Sequence, residues 1–538
     1  MTKGYLCIVL HAHLPYIRHP EHDYFLEEDW LYEAMTETYI PLLDIFERLI
    51  NDGIDFRITL SISPPLIEML NDDLLRERYK RHIEKLIELS EKEQYRTRGD
   101  PHFEPIVKMY KERFQRIRYL FLNVYKKDLI SAFKALQDLG KIEIITTAAT
   151  HAFLPTLHMY PHAIKAQIKV AVACYFKNFM RYPDGLWLPE CGYEPGIDHY
   201  LKEAGIKFFF LNTHGILHGT PLPRYSVYGP VFCHSGVAAF GRDVETSKQV
   251  WSSAAGYPGD VDYRDFYRDI GFDLDLDYIK TYIHLDGIRT YTGLKYYRIT
   301  GKTDKKEPYN IERAKRKAAE HATNFIVNRE HQVNFLSYIF QNHHVHIKPI
   351  ITAIYDAELF GHWWYEGLDW LDFLFRGVHA RNVNFRFIYP SEYISSSSCN
   401  HESFLISQPA SSSWGKNGYN EIWLNSSNDY IYPHIHKTID RMVFLANRFP
   451  EAKGIFKRML DQSAREVLLS QHSDWAFILQ AGTATAYARK RFEEHIGRFN
   501  ALYQAIISSN IPEKWLTEIE DRDRIFQDID YRVYSSKF

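Results

Sequence analysis

The feature that most constrains this chain is a repeated order along it: a short apolar run, then residues able to do chemistry, then a helical pattern. The runs are Tyr5-Leu6-Cys7-Ile8-Val9-Leu10, Phe56-Arg57-Ile58-Thr59-Leu60-Ser61, and the stretches 141–147, 185–190, 207–212 and 349–356. Near-continuous apolar runs of this length fit parallel strands buried on both faces. His11 and His13 follow the first run, where Pro15 blocks its continuation; His151 follows the third, Glu190 ends the fourth, His214 follows the fifth and Asp356 ends the sixth. A parallel barrel sets the carboxyl ends of its strands around one mouth, so these distant residues are expected to converge. Residues 1–395 are therefore read as a (β/α) barrel with fewer than eight strands.

Two stretches interrupt that order. Residues 66–140 are charged and periodic, as in "RERYKRHIEKLIELSEKE", and read as a solvated helical insertion. Residues 222–275 are rich in Gly, Ser and aromatics without sustained periodicity, and read as a long loop over a site. The run Ser395-Ser396-Ser397-Ser398 reads as a linker, and helical periodicity over 430–510 makes 396–538 a C-terminal α-helical domain that contributes to the substrate cleft.

The chain is too long for one growing core, so more than one domain is expected of its 538 residues. A net charge of −3 argues against nucleic acid or an anionic membrane as partner. Five scattered cysteines without a CxxC, and no secretory or membrane-spanning run, fit a soluble cytoplasmic protein with reduced thiols. Aromatic residues make up 15% of the chain, and flat rings with polar edges suit sugars as well as cores.

Two strand-end carboxylates beside aromatics carry the chemistry: Glu190 in "GLWLPECGYEPGID" and Asp356 in "AIYDAELFGHWWYEGLDWL". Retaining glycoside cleavage needs such a pair about 5 to 5.5 Å apart, one ionised as nucleophile and one protonated as acid, and neighbouring strand ends can set that spacing. Glu358 is the rival acid, and either carboxylate alone fits a salt bridge or a helix cap. His11 and His13 point to one side of their strand and suit a metal, an anion or a sugar. A zinc site would recruit His151 and Asp356, but would leave the glutamate and tryptophan motifs unexplained. Trp414 and Trp423 fit either sugar stacking or core packing, and Asp474 fits an N-cap.

Five ordered segments, "HAHLPY", "WLPECGY", "YRDIGFDLD", "YDAELFGHWW" and "SSWGKNGYNEIWLN", resemble the signature regions of glycoside hydrolase family 57, and most of all its 1,4-α-glucan branching members. The resemblance implies an incomplete (β/α)7 barrel with a helical C-terminal domain, Glu190 as nucleophile and Asp356 as general acid/base. It implies a glucan-binding set of His11, His13, His151, Trp187, Phe272, Trp363, Trp414, Trp423 and Asp474, with no metal and no cofactor. Phe272 stands where some relatives carry tryptophan. Branching members use a loop tyrosine to keep water from the intermediate; here Tyr225 and Tyr228 precede a loop tip holding Cys233 and His234. The expected activity is transfer of an α-1,4 chain to a C6 hydroxyl. An α-amylase or 4-α-glucanotransferase is the enzymic alternative, and a glucan-binding protein with a decayed site the other, against which the presence of both carboxylates speaks.

Overall fold

The computed structural model describes residues 2–252, 254–284, 286–396, 405–510 and 512–536. Among them nine strands form one sheet: β1 Gly4–Ala12, β2 Ile58–Ile62, β3 Ile142–Thr147, β4 Gly185–Trp187, β5 Phe208–Leu211, β6 Val231–Phe232, β7 Ala238–Gly241, β8 Ile350–Asp356 and β9 Phe385–Phe387. Their order is β6-β7-β5-β4-β3-β2-β1-β8, with β9 added to the amino end of β1. Every pairing is parallel except β6 with β7. The run β7-β5-β4-β3-β2-β1-β8 is thus a curled sheet of seven parallel strands. Its two ends approach without a ladder: the Asp243 N–H, just past β7, donates to the Thr352 carbonyl of β8 at 2.9 Å. This is the incomplete (β/α)7 barrel.

β1 lies between β2 and β8, which is why its sequence is apolar almost without a break and all but one of its residues are buried. The six sequence-predicted strands form β1, β2, β3, β4, β5 and β8, with small shifts in their ends. The seventh parallel strand, β7, lies inside the 222–275 stretch expected to be a loop. It is four residues long, half alanine and preceded by Gly236, so neither β-branching nor alternation marks it. Within this stretch β6 turns back on β7, and helix Val244–Trp251 follows, capped by Asp243 accepting from the Thr246 N–H. Tyr225 packs on Phe340 and the Tyr228 hydroxyl meets Gln332, so both tyrosines face the long helix Ile311–Asn342.

Between β2 and β3 the chain forms helices Pro64–Asn71, Asp73–Arg96, Glu104–Tyr119 and Leu129–Asp138, where the helical insertion was expected. Ser63, Asp72 and Asp128 cap three of them through their side chains. At the carboxyl end of the chain lie helices Ile431–Arg448, Gly454–Ser470, Ser473–Ala481, Thr485–Ile507 and Glu513–Arg522. Their apolar faces join the barrel's helices in one continuous core. Of the expected serine linker, Ser397 and Ser398 lie outside the described residues.

One contact between these helices and the barrel bears directly on the mouth. Ala152 and His472 form an antiparallel bridge, the Ser473 N–H donates to the His151 carbonyl at 3.1 Å, and the Thr150 hydroxyl donates to the Leu468 carbonyl. The start of helix Ser473–Ala481 is thereby pinned over the ends of β3 and β4.

Candidate active site

Register builds the site. His11 of β1 is level with Ser61 of β2 on one side and with Asp356 of β8 on the other. Its Nδ1 meets the Ser61 hydroxyl at 3.0 Å and its Nε2 meets His151 Nε2 at 2.9 Å. His13, one pleat further, repeats the pattern: Nδ1 meets the Ser63 hydroxyl at 2.9 Å and Nε2 meets Asp474 Oδ2 at 3.0 Å. The HxH spacing therefore pairs with an SxS spacing on the next strand, a signal present in the sequence and unread there.

Glu190 sits in a short turn after β4 with φ of 62°, and His151 follows β3 with φ of 54°. Left-handed backbone is uncommon for residues with a Cβ, and its cost is tolerated only where surrounding contacts fix it. Those contacts are visible. Trp414 Nε1 donates to Glu190 Oε2 at 2.7 Å, the Ser473 hydroxyl donates to Oε1 at 2.9 Å, and the Trp414 N–H holds the Glu190 carbonyl at 2.9 Å. Both donors come from beyond residue 405.

Asp356 ends β8, on the opposite wall: three strands separate β4 from β8, so the two carboxylates are not on neighbouring strands as the sequence reading supposed. The curl of the sheet makes them face each other's charge. Burial, then Glu358 and Glu190, hold the Asp356 carboxyl well above the usual carboxylate range. Glu190 is pushed up to about 7 by burial and by the Asp474 charge, against the two hydrogen bonds it accepts. Glu358 lies in the turn after β8, where it accepts from the His13 N–H at 3.1 Å and from the Tyr39 hydroxyl; burial pushes it up to about 7. Asp474 behaves oppositely: burial would raise it, but the His13 and His472 imidazoles hold it well below the carboxylate range. Burial and His13 hold His11 and His151 well below the usual imidazole range, so both are neutral.

Aromatic faces complete the floor. Trp187 is fully buried and stacks on His11 with centroids 4.5 Å apart, while Trp414 stands edge-on to it at 5.3 Å. The Trp414 ring also lies beneath the Arg242 guanidinium, 5.8 Å away, and near the half-exposed Trp251. His11, His13, His151, Trp187, Glu190, Asp356, Trp414 and Asp474 thus meet at one mouth. Trp423 does not join them: it is 1% exposed and stacked on Phe153 at 4.9 Å, so its ring faces are used by the core and sugar stacking there is corrected to packing. Trp363, 53% exposed, stacks on Phe266, and Phe272, 44% exposed, stands edge-on to Tyr291; they belong to a separate aromatic ledge joined through Phe266 and Tyr291. Ser61, Ser63, Ser473, His472 and Tyr39 are site residues the sequence reading missed.

The imidazole nitrogens that a zinc would use are engaged in hydrogen bonds. His11 Nε2 and His151 Nε2 are 2.9 Å apart, a distance one shared N–H spans. His13, His472 and Asp474 also bring ligand-type atoms within 4.8 Å of one another. There the Tyr16 N–H donates to His472 Nε2 at 3.4 Å, which leaves Nδ1 as the protonated nitrogen facing Asp474 at 2.8 Å. The three side chains form a hydrogen-bonded cluster around the Asp474 carboxylate.

The arrangement can thus present one carboxylate under two donors and one carboxyl that burial and acidic neighbours hold above the usual carboxylate range, across a mouth lined by aromatic rings. Comparison with known proteins places it. The sequence model for glycosyl hydrolase family 57 matches residues 7–405, and that for the C-terminal region of 1,4-alpha-glucan branching enzyme matches 434–534. A 1,4-alpha-glucan branching enzyme of Thermococcus kodakarensis is 34% identical, over 99% of this chain and 79% of its own length. Among solved structures, the alpha-amylase AmyC of Thermotoga maritima superposes with a TM-score of 0.91 at 45% identity, covering 99% of each chain. The family 57 branching enzyme of Pyrococcus horikoshii superposes with a TM-score of 0.86 at 32% identity, covering 100% of this chain and 97% of that one. A family match over most of the chain, with near-full-length relatives on the same fold, means that the chain belongs to glycosyl hydrolase family 57.

Proposed function

We propose that the chain is a retaining 1,4-α-glucan branching enzyme with Glu190 as nucleophile and Asp356 as general acid/base. The observation that carries the assignment is the asymmetry of the two carboxyls: Glu190 accepts from Trp414 and Ser473, which favours its ionised form, whereas burial and two acidic neighbours keep Asp356 protonated. Asp356 gives its proton to the leaving glycosidic oxygen while a Glu190 oxygen bonds the anomeric carbon, forming a glycosyl ester. Asp356, now ionised, takes the proton from an acceptor C6 hydroxyl, whose oxygen displaces Glu190 and closes the α-1,6 branch. Asp474, held by His13, orients sugar hydroxyls, Trp414 floors the subsite backed by the buried Trp187 and His11, and the separate ledge of Trp363 and Phe272 offers further exposed ring faces to the glucan. The barrel of 1–395 supplies the carboxylates, and the helical region of 396–538 supplies Trp414, Ser473 and Asp474. Work in glycogen synthesis, in the cytoplasm, fits this reading.

Relatives named as branching enzymes support transfer, and the 45% identical alpha-amylase supports a second reading, hydrolysis by the same two carboxylates. The two differ only in whether water or a bound hydroxyl takes the ester, and orientation gives a bound hydroxyl an effective molarity of order 10⁵ M or more. Amylose incubated with the protein, followed by debranching and by a reducing-end assay, decides between them. New debranchable chains without matching reducing ends are expected; reducing ends alone mean an amylase, and neither means a binder.

A further inference from the structure

Four residues behind Glu190 form a line that starts at Ser61: Ser61 Oγ to His11 Nδ1 at 3.0 Å, His11 Nε2 to His151 Nε2 at 2.9 Å, His151 Nδ1 to Ser473 Oγ at 2.8 Å, and Ser473 Oγ to Glu190 Oε1 at 2.9 Å. All four are buried. A neutral imidazole has one N–H and one lone pair, and the buried Ser473 hydroxyl, with His151 and Glu190 as its partners among the described residues, gives its one hydrogen to one of them, so the direction at Glu190 sets the direction of the other links. An ionised Glu190 can only accept. Ser473 then spends its hydrogen on Glu190 and accepts from His151 Nδ1–H; His151 Nε2 accepts from His11 Nε2–H; and His11 Nδ1 accepts from Ser61.

Trp414 makes the opposite polarity equally definite. Its Nε1–H can only donate, and it occupies Oε2, so a proton on Glu190 finds an acceptor partner from Oε1, which faces Ser473. That proton goes to Ser473 and reverses every link back to Ser61. We propose that Ser61, His11, His151 and Ser473 form one directional hydrogen-bond chain whose polarity is locked to the protonation state of Glu190, so that Ser473 and His151 are positioning residues for that carboxylate. This rests on the reading of Glu190 as nucleophile, because only the ionised polarity presents a nucleophile. Esterification leaves the Glu190 oxygens acceptors only, so the ionised polarity persists through the intermediate and only a proton reverses it. Other charged and titratable groups around Glu190 are Asp474 and His13, His472 beyond Asp474, Asp356 with Glu358 across the mouth, and Arg242 near Asp356; they set where Glu190 titrates, while the chain transmits that state.

Glu190→Gln tests it without turnover. Trp414 Nε1–H claims the amide oxygen, which turns the NH₂ toward Ser473 and forces the reversed polarity at any pH. Long-range ¹⁵N–¹H correlation on histidine-labelled protein at about pH 8, with His11→Gln and His151→Gln used only to assign signals, reads the tautomers. Wild type is expected to carry His11 as Nε2–H and His151 as Nδ1–H, and Glu190→Gln to carry both exchanged. Identical tautomers in the two proteins, or a cationic ring in either, overturn the chain. As a second measurement, Ser473→Ala should move the acid limb of kcat/KM upward by about one pH unit, and Ser473→Thr, which keeps the hydroxyl, should restore it. An unmoved limb also overturns it. Turnover retained by Glu190→Gln would instead refute the nucleophile, whatever the tautomers show.

Discussion

Replacing Glu190 by glutamine should cost the activity and stabilise the fold, and the second effect can be sized. Burial and the Asp474 charge push the Glu190 carboxyl from its ordinary 4.5 up to about 7. A group raised in the folded state favours the fold fully below its unfolded value and loses that contribution as pH rises through the folded one. Here the loss begins above about 4.5 and is nearly complete by about pH 8, where a shift of ~2.5 units corresponds to ~3 kcal/mol against folding. The side chain is 12% exposed, so solvent screening takes little of this. Glutamine does not titrate. With an unfolding entropy of about 2.1 cal/mol/K per residue, ~3 kcal/mol spread over the whole chain moves Tm by roughly 3 °C. Thermal unfolding of wild type and Glu190→Gln from about pH 4 to 8 should show the gap in Tm widening by that amount in the variant's favour. Branch formation from amylose should meanwhile be lost. A gap that stays flat across pH would refute the argument that Glu190 is held against its own ionisation.

Three further outcomes follow from the same geometry. Trp414→Phe keeps the ring but removes the 2.7 Å donor to Glu190, a hydrogen bond to a charged group worth about 1.5 to 3 kcal/mol, so the acid limb of kcat/KM should move upward by about one unit or more; an unmoved limb counts against it. Asp474→Asn removes a negative charge that raises Glu190, so the same limb should move downward, the opposite sign, in the same pH-rate measurement. Exhaustive chelation should leave turnover unchanged, because the His13 and His472 nitrogens that face Asp474 carry protons rather than an ion; loss reversed by added zinc would refute this.

Much of the architecture was legible because parallel strands buried on both faces must be apolar throughout, and six such runs stand out without any structure. Their carboxyl ends name Glu190, Asp356 and the His11/His13 pair, since a parallel barrel has only one mouth. The resemblance of five segments to family 57 added the order of the motifs. What it could not supply was level and direction. β7 escaped because four residues, three of them alanine or glycine, carry no period, although the sheet needs them to bring its end toward β8. Trp423 and Trp414 lie nine positions apart and look alike in sequence, yet one is stacked in the core on Phe153 and the other holds a Glu190 oxygen; which face a loop turns inward depends on what it packs against. The Ser473 contact to Glu190 joins residues 283 apart, and that of Asp474 to His13 joins residues 461 apart. No local pattern encodes such distances. The sequence by itself determined six of the seven parallel strands and which chemistry stands at their ends, through burial and period; only the tertiary structure decided which carboxylate receives hydrogen-bond donors and which lies among acidic neighbours, because that depends on where a helix some 280 residues downstream is pinned.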